Sequence, residues 1–292
     1  MAGLSNSHFK DEEHMTELSI QELHEKFLFP TVLVRTKKAG GSGSVIFSRK
    51  TDINPDEPEE YSTFVLTNGH VIDDAVEYKT EWDNFAKKEV KKELRSPVDV
   101  HFFKYKYQSQ QIGTYSVTAQ IVAFNKEEDL ALLKLDDPNA AKYIAKLYSR
   151  EKLNELRIFD KVICVGAGLG HSVFPTHGEI TSLMGPDDII ENKQYMMTSA
   201  ASIFGNSGGA LYLKRTQELI GVPSRISVAL VGFGGSPISH MSYSIPFTRI
   251  YQFLEDNCFQ FIYDSNQTEK QCGELRKKKE ESQRKYFSDV KS

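Results

Sequence analysis

A chain of 292 residues, 39% hydrophobic and 26% charged, has room for one large core or two modest ones and the composition of an ordinary soluble globular protein. Its formal net charge of -4 is too small to give a reason for expecting nucleic acid or an anionic membrane as partner. Three cysteines, an odd number with no close pairing and no companion histidines, argue against a disulfide framework and a structural zinc site.

The N-terminal stretch MAGLSNSHFKDEEHMTELSI has early acids and no continuous apolar run. It reads as neither a secretory signal nor a membrane anchor, so a cytoplasmic protein is expected. Ser19 and Glu22 have capping-box spacing, and Leu23, Phe27 and Leu28 recur on one face, which predicts a helix over residues 20–27. Such an N-terminal arm, residues 1–30, can pack on the core or mediate self-association, which leaves a homo-oligomer open.

From Thr31 the pattern changes to short runs rich in β-branched and aromatic residues. Strands are predicted over 31–36, 44–48, 62–66, 98–107, 115–124 and 130–135. Gly40-Gly41-Ser42-Gly43 reads as a flexible turn, and the acidic, proline-bearing stretch 52–60 as a solvent loop. Over 79–94, Trp82, Phe85, Ala86, Val90 and Leu94 stand at helical spacing among lysines and glutamates. An inserted amphipathic helix is expected there, with basic residues too interleaved with acids for nucleic acid. A helical linker over 139–156 precedes a second strand set at 161–165, 179–184, 195–198, 210–213, 218–222 with 224–231, and 241–245. Cys164 lies in one of these apolar runs and reads as core packing. A helix over 246–256 closes the set, and the lysine- and glutamate-rich stretch 267–292 reads as a solvated helix or a partly disordered tail. The pattern by itself supports an all-β class.

Three stretches carry chemistry. Gly205-Asn206-Ser207-Gly208-Gly209 flanks a serine with glycines, a sequence that permits a tight turn exposing the hydroxyl and turning backbone N–H groups toward a reacting oxygen. The run Phe64-Val65-Leu66-Thr67-Asn68-Gly69-His70 ends an apolar strand in a small-residue turn bearing a histidine, and Asp129 stands directly before the apolar run Leu130 to Leu135. Each alone has an ordinary structural explanation: a surface turn, an incidental histidine, a strand-capping acid. Together they follow the order His, Asp, Ser, which is that of the chymotrypsin-type triad.

At these residues, in LTNGHV around His70, DLALLKL from Asp129 and TSAASIFGNSGGAL past Ser207, the chain resembles the trypsin-like peptidases and most closely their HtrA (Deg) branch. The resemblance implies a chymotrypsin-like double β-barrel with the site in the cleft between the barrels: residues 31–148 with His70 and Asp129, residues 149–256 with Ser207, and a charged tail over 257–292. It implies a serine endopeptidase acting on a protein or peptide substrate, with no metal or organic cofactor. His70 would take the proton of Ser207, Asp129 would orient His70, and the N–H groups of Gly205 and Ser207 would form the oxyanion hole. Laid on the family pattern, Ala201 falls at the floor of the primary pocket, Ser224, Arg225 and Ile226 on the strand that pairs with substrate backbone, and Met241 on the pocket wall. An alanine floor with apolar walls favours small or medium apolar side chains, because a lysine or arginine cation would lie there unpaired. Pro223 and Arg225 depart from the usual HtrA pattern. The 36 residues beyond Asp256 are too few for the PDZ domain of many HtrA proteins. No IVGG-like sequence follows a basic residue near the N-terminus, so loops such as 185–193 would order the pocket. The alternative is a catalytically latent or inactive peptidase fold that holds peptide segments of a partner.

Overall fold

The computed structural model describes residues 18–50, 60–83, 87–183, 193–231 and 234–289. The expected solvent loop at 52–60, apart from Glu60, and the polar loop at 185–193, apart from Lys193, lie outside the described residues. The strands in chain order are β1 (Thr31–Arg35), β2 (Gly40–Lys50), β3 (Tyr61–Thr67), β4 (Val76–Asp83), β5 (Lys88–Arg95), β6 (Val98–Lys106), β7 (Gln110–Asn125), β8 (Leu130–Leu135), β9 (Lys161–Gly166), β10 (Phe174–Ser182), β11 (Met196–Thr198), β12 (Ala210–Leu213), β13 (Glu218–Val231) and β14 (Gly234–Pro246). Two closed antiparallel barrels result, β1-β2-β3-β8-β7-β6 and β10-β11-β14-β13-β12-β9. This is the chymotrypsin-like double barrel.

Strand periodicity explains why runs such as TFVLT and LALLKL are apolar at nearly every position. Successive side chains point to opposite faces, and here both faces are buried. Val32, Val34, Val45, Val65, Val100 and Leu133 fill the first barrel, while the intervening Leu33, Phe64, Leu66 and Leu132 join a larger core that continues into the second. The barrels are therefore fused by side chains of the strands themselves.

The N-terminal arm packs on this joint. The predicted capping box forms: Ser19 N–H donates to Glu22 Oε2 at 2.9 Å and Glu22 N–H to Ser19 Oγ at 3.2 Å. Helix α1 (Ile20–Leu23) then widens into a π-turn over His24–Leu28, and Phe27 meets Tyr212 of β12 edge-on at 5.1 Å. Burying Phe27 and Leu28 stabilises the docked arm by roughly 1.5–3 kcal/mol each.

Three expectations are corrected. The stretch expected as an inserted helix is the hairpin β4–β5, with Thr80 opposite Lys91 and Glu81 opposite Val90. The period that wins is two: Val76, Tyr78, Thr80 and Trp82 alternate with charged residues, whereas the helical spacing drew on Phe85 and Ala86, which lie outside the described residues. Gly40–Gly43 is strand rather than turn. A Cβ on Gly41 would come within 2.5 Å of Val71 and 2.9 Å of the Ser207 carbonyl oxygen, and one on Gly43 within 2.7 Å of Val65, so the glycines serve close approach. The expected helical linker is mostly irregular, with one 3-10 stretch at Arg150–Glu155. Its backbone bonds instead to both barrels, through Ala145 N–H to Val45 O at 2.7 Å and Tyr148 N–H to Leu219 O at 3.0 Å.

Helix α2 (Phe247–Asp256) closes the second barrel, burying Phe247, Ile250, Phe253 and Leu254. The chain then returns to the first barrel, where Phe261 packs on Phe47 and Phe64 at 5.2 and 5.5 Å. Helix α3 (Glu269–Asp289) follows, its first residue paired to Lys134 of β8 at 2.8 Å.

Candidate active site

His70 lies in the turn after β3 and Asp129 immediately before β8, strands that pair with each other through Thr67 opposite Ala131. That pairing makes them neighbours. His70 Nδ1 is 2.9 Å from Asp129 Oδ1 and 3.0 Å from Oδ2, and the His70 backbone N–H donates to Oδ1 at 2.9 Å. An ionised carboxylate only accepts hydrogen bonds, so the imidazole proton belongs on Nδ1 and Nε2 keeps its lone pair.

Asp129 has φ of +54°, a left-handed conformation that aspartate tolerates better than most residues. The conformation is held by Asn68, whose Nδ2 donates to the Asp129 carbonyl at 2.9 Å, and the carboxylate receives a further short bond from Ser224 Oγ at 2.6 Å. Burial works against the charge of Asp129, but the hydrogen bond and charge of His70, followed by the Ser224 hydroxyl and the His70 N–H, together hold its carboxyl below the ordinary value. The His70 side chain is half exposed while that of Asp129 is 13% exposed. The imidazole thus reaches solvent from a buried anchor.

Ser207 belongs to the turn between β11 and β12. Gly205 and Gly208 have φ of +97° and +84°, and a Cβ on Gly208 would fall 2.2 Å from Ser42 O and 2.3 Å from Thr67 Oγ1. The serine turn is thereby pressed against the strand ends of the first barrel. Ser42 joins the halves: its N–H donates to Ser207 O at 2.7 Å, its Oγ donates to Gly205 O at 2.6 Å and accepts from Ala167 N–H at 2.7 Å.

Two carbonyls of this turn are engaged by backbone donors, Phe204 O by Leu169 N–H at 2.7 Å and Asn206 O by Gly209 N–H at 3.0 Å. In a trans peptide the N–H points opposite to its own plane's carbonyl. The Gly205 and Ser207 N–H groups, which share those planes, are turned the other way, and among the described residues neither has an intramolecular acceptor. Ser207 Oγ itself lies 3.5 Å from the carbonyl oxygen of Ser224, the residue whose hydroxyl touches Asp129. Ser207 and Asp129 therefore both touch one residue of β13, and His70 is bonded to Asp129.

A cavity of about 290 Å³ lined by His70, Asp73, Lys126, Asp129, Ser224 and Arg225 opens beside the pair, and another of about 350 Å³, bounded by Leu33, Arg35, Leu169, Phe204 and Gly205, opens beyond the serine turn. Among the described residues no group of three or more His, Cys, Asp or Glu side chains is arranged to hold a metal ion.

A family model for the trypsin-like peptidase domain matches residues 41–222, more than half of the chain. The chain belongs to that family. The solved structure of the HtrA-type protease AlgW with a tripeptide is similar with a TM-score of 0.56 and 20% identity, over 84% of this chain and 64% of that one. A serine endoprotease from Yersinia pestis is similar with a TM-score of 0.53 and 20% identity, over 83% of this chain and 67% of that one. At that identity the likeness is one of fold, and the chain spans less than two thirds of the length of AlgW. No curated protein matches it.

Within this trypsin-like domain the other sequence candidates are placed as follows. Ala201 lies just past β11, its carbonyl accepting from Thr176 Oγ1 at 2.6 Å. Ser202 N–H bonds Ser239 O at 2.8 Å and Ser242 Oγ bonds Ala200 O at 2.8 Å, which sets Ala201 alongside the strand segment carrying Met241. Arg225 lines the cavity beside His70 and stacks over Tyr195 at 5.0 Å. Ile226 follows it on β13, partly buried. Ser42, Asn68 and the carboxylate contact of Ser224 have no counterpart among the sequence expectations. Asn68 adjoins the histidine motif and Ser42 interrupts the glycine run, which were the available signals.

Proposed function

We propose that the protein is a serine endopeptidase in which Ser207 is the nucleophile, His70 the general base and then acid, and Asp129 the residue that orients His70. Ser207 Oγ attacks the substrate carbonyl as its proton passes to His70 Nε2. The resulting oxyanion is received by the Gly205 and Ser207 N–H groups. Collapse of this intermediate breaks the C–N bond, with His70 returning the proton to the leaving amine, and water then hydrolyses the acyl-enzyme by the same base. The observation that carries this reading is the convergence on Ser224, whose hydroxyl is bonded to Asp129 while its carbonyl is next to Ser207 Oγ. The two engaged carbonyls at Phe204 and Asn206 support the oxyanion role, in which each donor is worth roughly a hundredfold or more in rate. Ala201 beside Met241 supports a preference for cleavage after small or medium apolar residues.

A latent form is the second reading, favoured by the direction of the Ser207 hydroxyl toward Ser224 O. Incubation with unfolded casein tests the proposal. Cleavage by the intact chain that is lost in both Ser207→Ala and His70→Ala is expected. Equal cleavage by the Ser207→Ala protein contradicts the assignment, and efficient cleavage after lysine or arginine contradicts the preference.

A further inference from the structure

Asp129 closes the turn 126–129 between β7 and β8, strands that pair as far as Asn125 opposite Leu130. Of His70, Asp129 and Ser207, only Asp129 has a positive φ, +54°. The rotations at its Cα are set by the two peptide planes that meet there, one carrying the Glu128 carbonyl and the other its own. Asn68 Nδ2 holds the second plane from within the first barrel, donating to Asp129 O at 2.9 Å. The first plane is held from the other barrel. Arg249 Nη2 donates to Glu128 O at 3.1 Å while its Nε donates to Glu128 Oε2 at 2.7 Å. Arg249 lies in the first turn of helix α2, where the helix dipole disfavours a cation, so local preference gives no reason for an arginine. Its tertiary contacts do. The side chain is 14% exposed, Nη1 reaches Gln194 O at 3.2 Å, and the guanidinium lies over the buried Tyr195 ring at 5.0 Å. A planar, rigid fork held at this many points has one position open to it. The same turn is tethered further by Lys193, which donates to Glu127 O, and by Lys126, paired with Asp73 at 2.9 Å.

We propose that Arg249 is a positioning residue for the reaction: by pinning the Glu128 carbonyl it sets the φ of Asp129, and with it the direction of the carboxylate toward His70 Nδ1. This role rests on Asp129 orienting His70 and on Ser207 being the nucleophile. Arg249 touches no reacting atom and acts through Asp129 alone. Without it, the plane between Glu128 and Asp129 is free to turn, Asp129 relaxes toward an ordinary negative φ, and the carboxylate swings off the imidazole. Docking of the barrels therefore does more than bring Ser207 to His70. The second barrel also aligns the acid of the first, through Arg249 behind the turn and Ser224 in front of it.

The test is a double-mutant cycle on the full chain between Arg249→Met and Asp129→Asn, read as the maximal rate of fluorophosphonate labelling and the probe concentration giving half of it. Methionine keeps an unbranched stem over Tyr195 and removes every donor. Arg249→Met is expected to lower the maximal rate roughly ten- to a hundredfold with the half-saturating concentration within about twofold, the scale on which a misplacement of about 1 Å acts. In the Asp129→Asn background the same substitution should change the rate by less than about twofold, because a residue acting through Asp129 has nothing left to position. An ion pair that only joins the barrels would lower labelling alike in both backgrounds. Arg249→Lys keeps the charge without the fork and should recover part of the rate. It carries the same cycle, with a smaller loss expected, if the methionine variant does not fold. Equal losses in both backgrounds, a change confined to the half-saturating concentration, or an unaltered rate overturns the proposal. The Asp129→Asn arm separates the two levels: if it is slowed while Arg249→Met is not, only the role of Arg249 fails. If Asp129→Asn labels as fast as the unaltered protein, or nothing labels, the assignment of the triad fails and the role of Arg249 with it.

Discussion

The two barrels have the same strand number and closure, yet they hold their parts of the site by different means. In the first, His70 and Asp129 are fixed by side-chain hydrogen bonds, three of them to one carboxylate from His70 and Ser224, with Asn68 securing the backbone behind it. In the second, Ser207 is fixed by backbone bonds and by glycines where no Cβ fits. One half should therefore respond to changes of charge and hydrogen bonding that leave shape intact, and the other to added volume that leaves charge intact.

The largest effect on stability is expected at Gly208. Gly208→Ala adds a methyl 2.2 Å from Ser42 O at a φ of +84°, and should cost about 3 kcal/mol or more of stability together with the Ser207 geometry, read by thermal unfolding and peptide cleavage. Unchanged melting would mean that the barrels are not pressed together as described. Asp129→Asn keeps volume but lets the amide impose the wrong imidazole tautomer. Its kcat should fall roughly ten-thousand-fold with little loss of fold, and a fall of tenfold or less would remove Asp129 from its orienting role.

A smaller, pH-dependent effect is expected from Ser224→Ala. The folded-state value of Asp129 is depressed, so its ionised form stabilises the fold above the ordinary carboxylate value, and that contribution is lost as the pH falls through the depressed one. Removing the Ser224 donor shifts the folded value back toward ordinary. The stability advantage of the unaltered protein over Ser224→Ala should be greatest near neutrality and vanish in acid, and a difference independent of pH would contradict the linkage. The smallest effect is expected at Trp82, 62% exposed on the β4–β5 hairpin, where Trp82→Ala should change stability by no more than about 0.5 kcal/mol.

The fold is most legible in the sequence where local pattern and tertiary role coincide. Runs such as Leu130 to Leu135 are apolar at every position but Lys134 because both faces are buried, and the all-β class follows from a dozen predicted strands. The glycines around Ser207 were legible as a special turn because Gly205 and Gly208 adopt backbone angles that other residues resist. Residues 79–94 mislead because a short charged segment satisfies both periods, and the decisive alternation of Tyr78, Thr80 and Trp82 competes with Phe85 and Ala86 at helical spacing. Gly41 and Gly43 were misread because what forbids a side chain there, Val71, Val65 and the Ser207 carbonyl, is remote in sequence. The same holds for Ser42 and for the Ser224 hydroxyl, whose partners lie 163 and 95 positions away. Local composition carries no trace of such contacts.

The most direct test of the central claim is the site of reaction of the purified chain with a fluorophosphonate, mapped by mass spectrometry of its peptides. A single adduct on Ser207 is expected, strongly slowed by Asp129→Asn and absent in Ser207→Ala. An adduct on another serine, or labelling that persists in Ser207→Ala, would contradict it.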